Sequence, residues 1–292
     1  LDIGRFINRC PLHLPKAAMK RTSINEASNI QLRGIAYEDR RVKLFNGVAC
    51  FFTRIGGNSL SLMDSLNCSN SIYEGDKDIA RNLRIASAFL SIDPSRVVMC
   101  DQRHSDVIVS LSAPPLSMPV ADAIIAERPG VFPAIRTADC LPILLIDPVS
   151  RLSAAIHAGW RGTVKRLTLK VLETMTSEYG VKAENVFAVL GPRIGACCYE
   201  VGEEVVDKII RNIPNGEMYI LSKESGKAGL NRSSYFIDLG AINRSEMLNC
   251  GVRDSNIESV DVCTSCRGDL FFSYRRDGGN TGRQISIVGL KS

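Results

Sequence analysis

Apolar residues along this chain recur in two rhythms, and neither persists for long. Residues 42–53 read as one or two strands, apolar and partly β-branched, before Arg54-Ile55-Gly56-Gly57-Asn58-Ser59 interrupts the run as a glycine turn. From Asp76 to Ile92 the spacing lengthens toward a helical period, with Ile79, Leu83, Ala86 and Leu90 marking it. Short apolar runs then predict strands over Arg96–Cys100, Asp106–Leu111, Phe132–Arg136, Pro142–Ile146 and Leu152–Ile156. Arg161–Tyr179 reads as a second helix, closed by Gly180. A strand over Asn185–Leu190 follows, then helices over Gly202–Ile213 and Ile237–Asn249, the latter ended by Gly251, and a last strand over Arg283–Gly289. Strands and helices mix without strict alternation. That order predicts an α+β fold, or layered mixed sheets, and argues against a Rossmann fold or a barrel.

A length of 292 residues permits one large domain or two small ones and a sizeable core. Apolar content of 45% with 23% charge is ordinary for a soluble enzyme. The net charge of +5 is spread without a run of five or six like charges, so no nucleic-acid stripe is expected. No apolar run approaches the roughly 20 residues that span a bilayer, so no membrane partner is expected either. The first eighteen residues are irregular and lack the apolar core of a secretory signal. The chain opens on Leu1 and offers Met19 as a natural start, which would make residues 1–18 a non-native upstream extension. Ten cysteines in a chain of this size do not suggest a disulfide framework. Several lie in apolar runs, as Cys50 does, and read as small buried hydrophobes. A reducing, cytoplasmic setting is the expectation.

Three histidines are present, and two of them flank a cysteine-bearing segment. His104 lies in Asp101-Gln102-Arg103-His104-Ser105, and His157 in His157-Ala158-Gly159-Trp160-Arg161-Gly162, which holds the single tryptophan. Between them runs Arg136-Thr137-Ala138-Asp139-Cys140-Leu141-Pro142. Two imidazoles and one thiolate give three ligands with a fourth position for water or substrate, the pattern of a catalytic zinc site. Each residue also has an ordinary reading: a surface-loop histidine, a buried thiol, a satisfied core histidine. All three fall at predicted strand ends, where a rigid scaffold commonly mounts chemistry. Asp139 is the candidate acceptor for a ligand ring N–H.

Other segments carry both structural and functional readings. Gly191-Pro192-Arg193-Ile194-Gly195 is a shaped turn whose amides, with Arg193, would suit an anion. Cys197-Cys198 read as two core thiols. Cys263-Thr264-Ser265-Cys266 has C-x-x-C spacing, but no second such pair completes a zinc set. These four thiols are expected to be reduced and non-catalytic. At least one of Arg275 and Arg276, beside three aromatics, is expected to face the site, and Arg54 to meet phosphate or ribose.

Several motifs occur in a fixed order. They are Thr53-Arg54-Ile55-Gly56-Gly57, Ser65-Leu66-Asn67, Gln102-Arg103-His104, the 137–142 and 157–162 segments, and residues 191–202. Phe271-Phe272-Ser273-Tyr274-Arg275-Arg276-Asp277 and Thr281-Gly282-Arg283 close the series. This order resembles the bacterial laccase-domain, or multicopper polyphenol oxidase, family, now read as purine nucleoside phosphorylases and including the peptidoglycan editing factors. The likeness covers about residues 45–290. It implies a single-domain four-layer α/β/β/α sandwich with mixed sheets over 41–292, with residues 1–40 as extension and lead-in. It implies zinc on His104, Cys140 and His157. It implies phosphorolysis of adenosine, inosine, guanosine and methylthioadenosine, and deamination of adenosine. Cys140, Asp139 and His157 are then the expected catalytic groups, and Arg54, Asn67, Gln102, Arg193 and Arg275 the expected nucleoside and phosphate contacts. One departure is Gln102-Arg103-His104-Ser105, where the family usually has Gln-Val-His-Gly. Arg103 is expected to alternate away from the ligand side.

In the expected chemistry zinc acidifies a water, Asp139 orients a ligand or shuttles a proton, and Arg54, Arg193 and Arg275 grip phosphate. The partners are a small nucleoside and phosphate, for a monomer or possible dimer. Other classes stay open. Copper in place of zinc would make a phenol oxidase, since two His and one Cys occur in blue-copper sites; three histidines, however, cannot build a trinuclear cluster. A cysteine hydrolase would use Cys140 with His157 or His104 as base, and would fit editing of a peptidoglycan precursor. A non-enzymatic binding module fits the many loop-borne polar motifs poorly.

Overall fold

The computed structural model describes residues 30–59, 65–69, 76–225 and 232–292. Its elements run β1 (Ile30–Arg33), β2 (Ala36–Asp39), β3 (Gly47–Phe52), α1 (Asp76–Leu90), β4 (Val97–Val98), β5 (Ile108–Leu111), β6 (Ala123–Ala126), β7 (Phe132–Thr137), β8 (Leu141–Asp147) and β9 (Leu152–Ala158). Then follow α2 (Trp160–Val164), α3 (Leu167–Tyr179), β10 (Phe187–Leu190), β11 (Glu200–Val201), α4 (Glu203–Asn212), β12 (Ile220–Ser225), β13 (Arg232–Ile237), α5 (Leu239–Asn249), β14 (Ile257–Ser259) and β15 (Gln284–Leu290). One six-stranded sheet has the order β1-β2-β3-β15-β7-β4, and a second has β14-β10-β8-β9-β6-β5. Both are mixed: β4–β7, β5–β6 and β10–β14 pair in parallel, and their other neighbours antiparallel. A small sheet, β11-β13-β12, stands apart.

Side-chain alternation explains the layering. On β3, Ala49 and Phe51 join a core with Leu144 and Ile146 of β8, Ala155 of β9 and Val288 of β15, which is the seam between the two sheets. The opposite face of β3 packs Val48, Cys50 and Phe52 with Ala86 and Leu90 of α1. On β8, Leu141, Ile143 and Leu145 turn the other way, toward Val171, Leu172 and Met175 of α3 and Ile242 and Met247 of α5. Helix, sheet, sheet and helix therefore stack as four layers in one α+β domain. A fully buried side chain such as Phe51, 1% exposed, contributes roughly 1.5–3 kcal/mol.

The structure departs from the pattern in three places. Residues 30–39, assigned to a lead-in, supply two strands of the first sheet. The single helix expected over 161–179 is two, broken at Arg166, which holds a left-handed φ of 59°. Strands β6 and β11–β14 are not among the expected elements: β11 and β14 are two and three residues long, and Ala123-Ile124-Ile125-Ala126 of β6 is a continuous apolar run with no alternation to read. Residues 1–18 lie outside the described residues. No helix among the described residues is long and apolar enough to cross a membrane.

Candidate metal centre

Register brings the first two residues together. In the β8–β9 ladder Pro142 pairs with His157 and Leu141 with Ala158. Leu141, Ile156 and Ala158 all face the helices. By alternation His157, and Cys140 just before β8, face the seam between the sheets. His157 is buried and Cys140 half-buried. Cys140 is presented by Asp139, whose φ of 93° is a conformation L-residues rarely adopt. Gly159 stands beside the thiol, and a Cβ there would sit 3.0 Å from both Cys140 Sγ and His104 Cδ2. Only a residue without a side chain leaves that space to the ligands.

A third strand supplies the residue that orders the rest. Ala123 of β6 pairs with Ile156 of β9, so Asp122 stands opposite His157. The His157 backbone N–H donates to the Asp122 carbonyl at 2.8 Å. Asp122 Oδ1 lies 2.7 Å from His157 Nδ1. The same carboxylate accepts the backbone N–H of His104 at 3.0 Å, that of Arg103 at 3.2 Å, and both the N–H and the hydroxyl of Ser105 at 2.6 Å. One buried aspartate thus holds the histidine on the strand and the loop that carries the other, with His104 at a left-handed φ of 55°. Ser105, where the family pattern has glycine, adds a hydroxyl to this network. Arg103 turns outward and pairs with Asp101 at 2.6 Å.

The ligand atoms of His104, Cys140 and His157 all lie within 4.8 Å of one another. His104 Nε2 is 3.7 Å from Cys140 Sγ, and the two imidazoles meet edge to face with centroids 4.8 Å apart. Burial would raise the Cys140 thiol, but the charge of His157 and the hydrogen bond to His104 bring it down to about 6. Burial would lower His157, yet the Cys140 thiolate and Asp122 push it up to about 9. Burial acts against ionised Asp122 too; the bonds from His157 and Ser105 outweigh it and hold the carboxyl well below the usual range. With Nδ1 given to Asp122, the other nitrogen of His157 is the one that would give up its proton to a metal. The exposed His104 side leaves the centre open to solvent.

Asp139 does not serve the ligand rings in this geometry; Asp122 does. Asp139 accepts the Thr264 hydroxyl at 2.6 Å, the Ser273 hydroxyl at 3.0 Å and the Arg275 backbone N–H at 2.7 Å. Burial raises its carboxyl. Asp139 lies in the bend before β8 with a φ of 93°, and its carboxylate is taken up by the 264–275 segment.

The expected substrate contacts divide. Gln102 pairs both amide atoms with the backbone of Arg136, fixing the His104 loop to β7. Asn67 is buried and accepts the backbone N–H of Ser69 and Arg283. Arg193 is bound internally, by an ion pair with Asp261 at 2.9 Å and a bond to Ser259, and its guanidinium fills the space over Gly240. Arg54 lies 4.6 Å from the centre of the Phe272 ring and donates to the Gly268 carbonyl. Arg275 is exposed, 5.5 Å from the Tyr199 ring. Arg276 donates to the carbonyls of Thr264 and Phe271 and pairs with Asp277, so it braces the loop.

Three residues near the centre were not singled out from sequence. Asp122 is the first. Arg283 is the second, a half-buried guanidinium close enough to Cys140 and Asp139 to interact with the charge of both. Tyr199 is the third: burial raises its phenol, and Cys140, Arg275 and Arg161 all act on it. Arg283 and Tyr199 stood inside quoted motifs; Asp122 was marked only by being a lone charge at the head of the apolar run Ala123-Ile124-Ile125-Ala126.

Comparison with known proteins places this geometry. The model of a family described as multi-copper polyphenol oxidoreductase laccase matches residues 48–291. The protein named purine nucleoside phosphorylase YlmD, of Bacillus subtilis (strain 168), is 30% identical over 253 residues, 84% of this chain and 88% of that one. A protein named adenosine deaminase RL5, from an unknown prokaryotic organism, is 33% identical over 263 residues, 84% of this chain and 95% of its own. The crystal structure of the Bacillus licheniformis hypothetical protein YfiH has a TM-score of 0.81 at 31% identity, covering 90% of this chain and all of that one.

Proposed function

The chain belongs to the multi-copper polyphenol oxidoreductase laccase family, and from that premise we propose that it is a zinc-dependent purine nucleoside phosphorylase that also deaminates adenosine. Adenosine, inosine, guanosine and methylthioadenosine are the substrates of this reading. One observation carries it: three ligand atoms within 4.8 Å, one ring oriented by a buried carboxylate, on a face open to solvent. Relatives carrying the names of both activities support it.

The donor set fits zinc. Two imidazoles and a thiolate leave one coordination position open, as catalytic zinc sites do. When bound there, the ion supplies Lewis acidity and an acidified water. The remaining work falls to the chain. Asp122 fixes the tautomer and direction of His157 and the height of the His104 loop. Phosphate is recognised best by guanidinium groups; Arg283 is close enough to Cys140 to feel its charge, and Arg275 stands over the Tyr199 ring. Asp139 holds the segment that carries Arg275, so it acts by positioning. A laccase would need many more histidines: the chain has three, and both that lie among the described residues are in this one centre.

The test is to strip the protein with a chelator and follow phosphate-dependent release of hypoxanthine from inosine. The reading expects activity to vanish and to return with zinc, and Cys140→Ala to lose the zinc of this centre together with activity. Full activity without metal, or Cys140→Ala keeping the parent's full zinc content while losing activity, would replace it with a cysteine hydrolase.

A further inference from the structure

Cys197-Cys198 and Cys263-Thr264-Ser265-Cys266 lie 65 residues apart in the chain, from 198 to 263, and as spacings they complete no zinc motif. The fold brings them together. A parallel bridge joins Arg193 to Cys263, and the Thr264 N–H donates to the Arg193 carbonyl at 3.0 Å. All four sulfurs then fall within 4.8 Å of one another. Cys197 Sγ is 3.7 Å from both Cys198 and Cys266, and Cys198 is 3.4 Å from Cys266. None of the four is in a disulfide.

We propose that Cys197, Cys198, Cys263 and Cys266 form a second metal site, a closed tetrathiolate that binds one zinc ion separate from the open centre. The spacing is the first argument. A tetrahedron with Zn–S bonds of about 2.3 Å sets its sulfurs about 3.8 Å apart, close to the three distances here. Four thiolates leave no coordination position, so the site is structural. Loading it releases the thiol protons to solvent.

The surroundings are the second argument. The Gly195 backbone N–H donates to Cys263 Sγ at 3.3 Å, a bond that steadies a thiolate ligand. A Cβ on Gly195 would sit 3.3 Å from Cys197 Sγ and 3.4 Å from Cys263 Cβ, so the turn makes room for the sulfurs. Four thiolates around a dication carry a net charge of about −2, and cations stand next to both loops. Arg276 donates to the Thr264 and Ser265 carbonyls, between the two loop cysteines, and Arg275 reaches the Cys198 carbonyl at 3.5 Å.

Such an ion would clamp the wall of the open centre. Thr264, between two of its ligands, donates to Asp139, which precedes Cys140. Tyr199 follows a third ligand, Cys198.

Elemental analysis of reduced protein tests the proposal, with the full chain and a His104→Ala/His157→Ala variant that lacks the open centre. The parent should hold two zinc ions per chain and the histidine variant one. Cobalt loading of that variant should give the intense thiolate-to-metal absorption and red d–d bands of a tetrahedral tetrathiolate. Cys263→Ser/Cys266→Ser should remove that spectrum; if that variant fails to fold, the cobalt spectrum of the histidine variant decides. A histidine variant with no metal, four thiols that alkylate freely in the native protein, or disulfides among them found by mass spectrometry without reduction would each overturn it.

Discussion

Two buried aspartates border the open centre, and they do opposite things. Asp122 lies 35 residues from His157 in the chain, yet its carboxylate meets the ring at 2.7 Å and holds the His104 loop as well. Asp139 is the immediate neighbour of Cys140, and its carboxylate serves Thr264, Ser273 and Arg275 instead. Charge follows the same division: the bonds to Asp122 pull its carboxyl down, while burial pushes that of Asp139 up. In a sheet, the residue across the ladder shares a face, as Asp122 does with His157, whereas Asp139 lies outside the strands, in a bend with a φ of 93°. Proximity to a metal ligand is therefore set by register rather than by adjacency.

The largest effect expected is on the centre itself. His157→Ala removes a ligand and the group Asp122 orients, so the zinc affinity of this centre and inosine phosphorolysis should fall by more than the 10- to 100-fold typical of losing an outer partner. Retained cleavage would move the chemistry elsewhere. Next comes Asp139→Asn, which puts amide hydrogens among three donors. Chemical denaturation should show a loss of about 1–3 kcal/mol, with zinc content unchanged; a loss of zinc without a loss of stability would erase the contrast between the two aspartates. Gly159→Ala should act on the ligands alone. Its Cβ lies 3.0 Å from Cys140 Sγ and His104 Cδ2, and roughly a 3- to 10-fold weaker zinc affinity is expected, up to about 1.4 kcal/mol, with thermal unfolding little altered. Arg103→Ala should do least. It breaks only an exposed pair with Asp101, so stability should change by within about 0.5 kcal/mol and zinc affinity not at all.

Much of the fold was legible because its longer elements repeat enough to show a period. The helix over Asp76–Leu90 and the strands at 132–137, 141–147 and 152–158 stand close to where the apolar pattern puts them. The motifs placed the three ligand candidates on or beside strand ends, and the fold brings their atoms together. What escaped lacked a pattern. Strand β6, Ala123–Ala126, is a continuous apolar run with no alternation to mark it as a strand. Missing it meant missing Asp122, because that residue reaches His157 only through the β6–β9 register. The nearest carboxylate in sequence, Asp139, then took its place in the expectation. The four-thiol cluster was hidden for a related reason. Cys197-Cys198 is not a C-x-x-C pair, and only the bridge between Arg193 and Cys263 carries it to one.

The most direct measurement is the free zinc concentration that half-restores phosphate-dependent inosine cleavage to the stripped protein, compared across the parent, Asp122→Asn and Asp139→Asn in metal-buffered solution. Asp122→Asn should raise that concentration by roughly 10- to 100-fold, and Asp139→Asn should leave it where the parent has it. An Asp139→Asn shift as large as that of Asp122→Asn, or no shift in Asp122→Asn, would contradict the account.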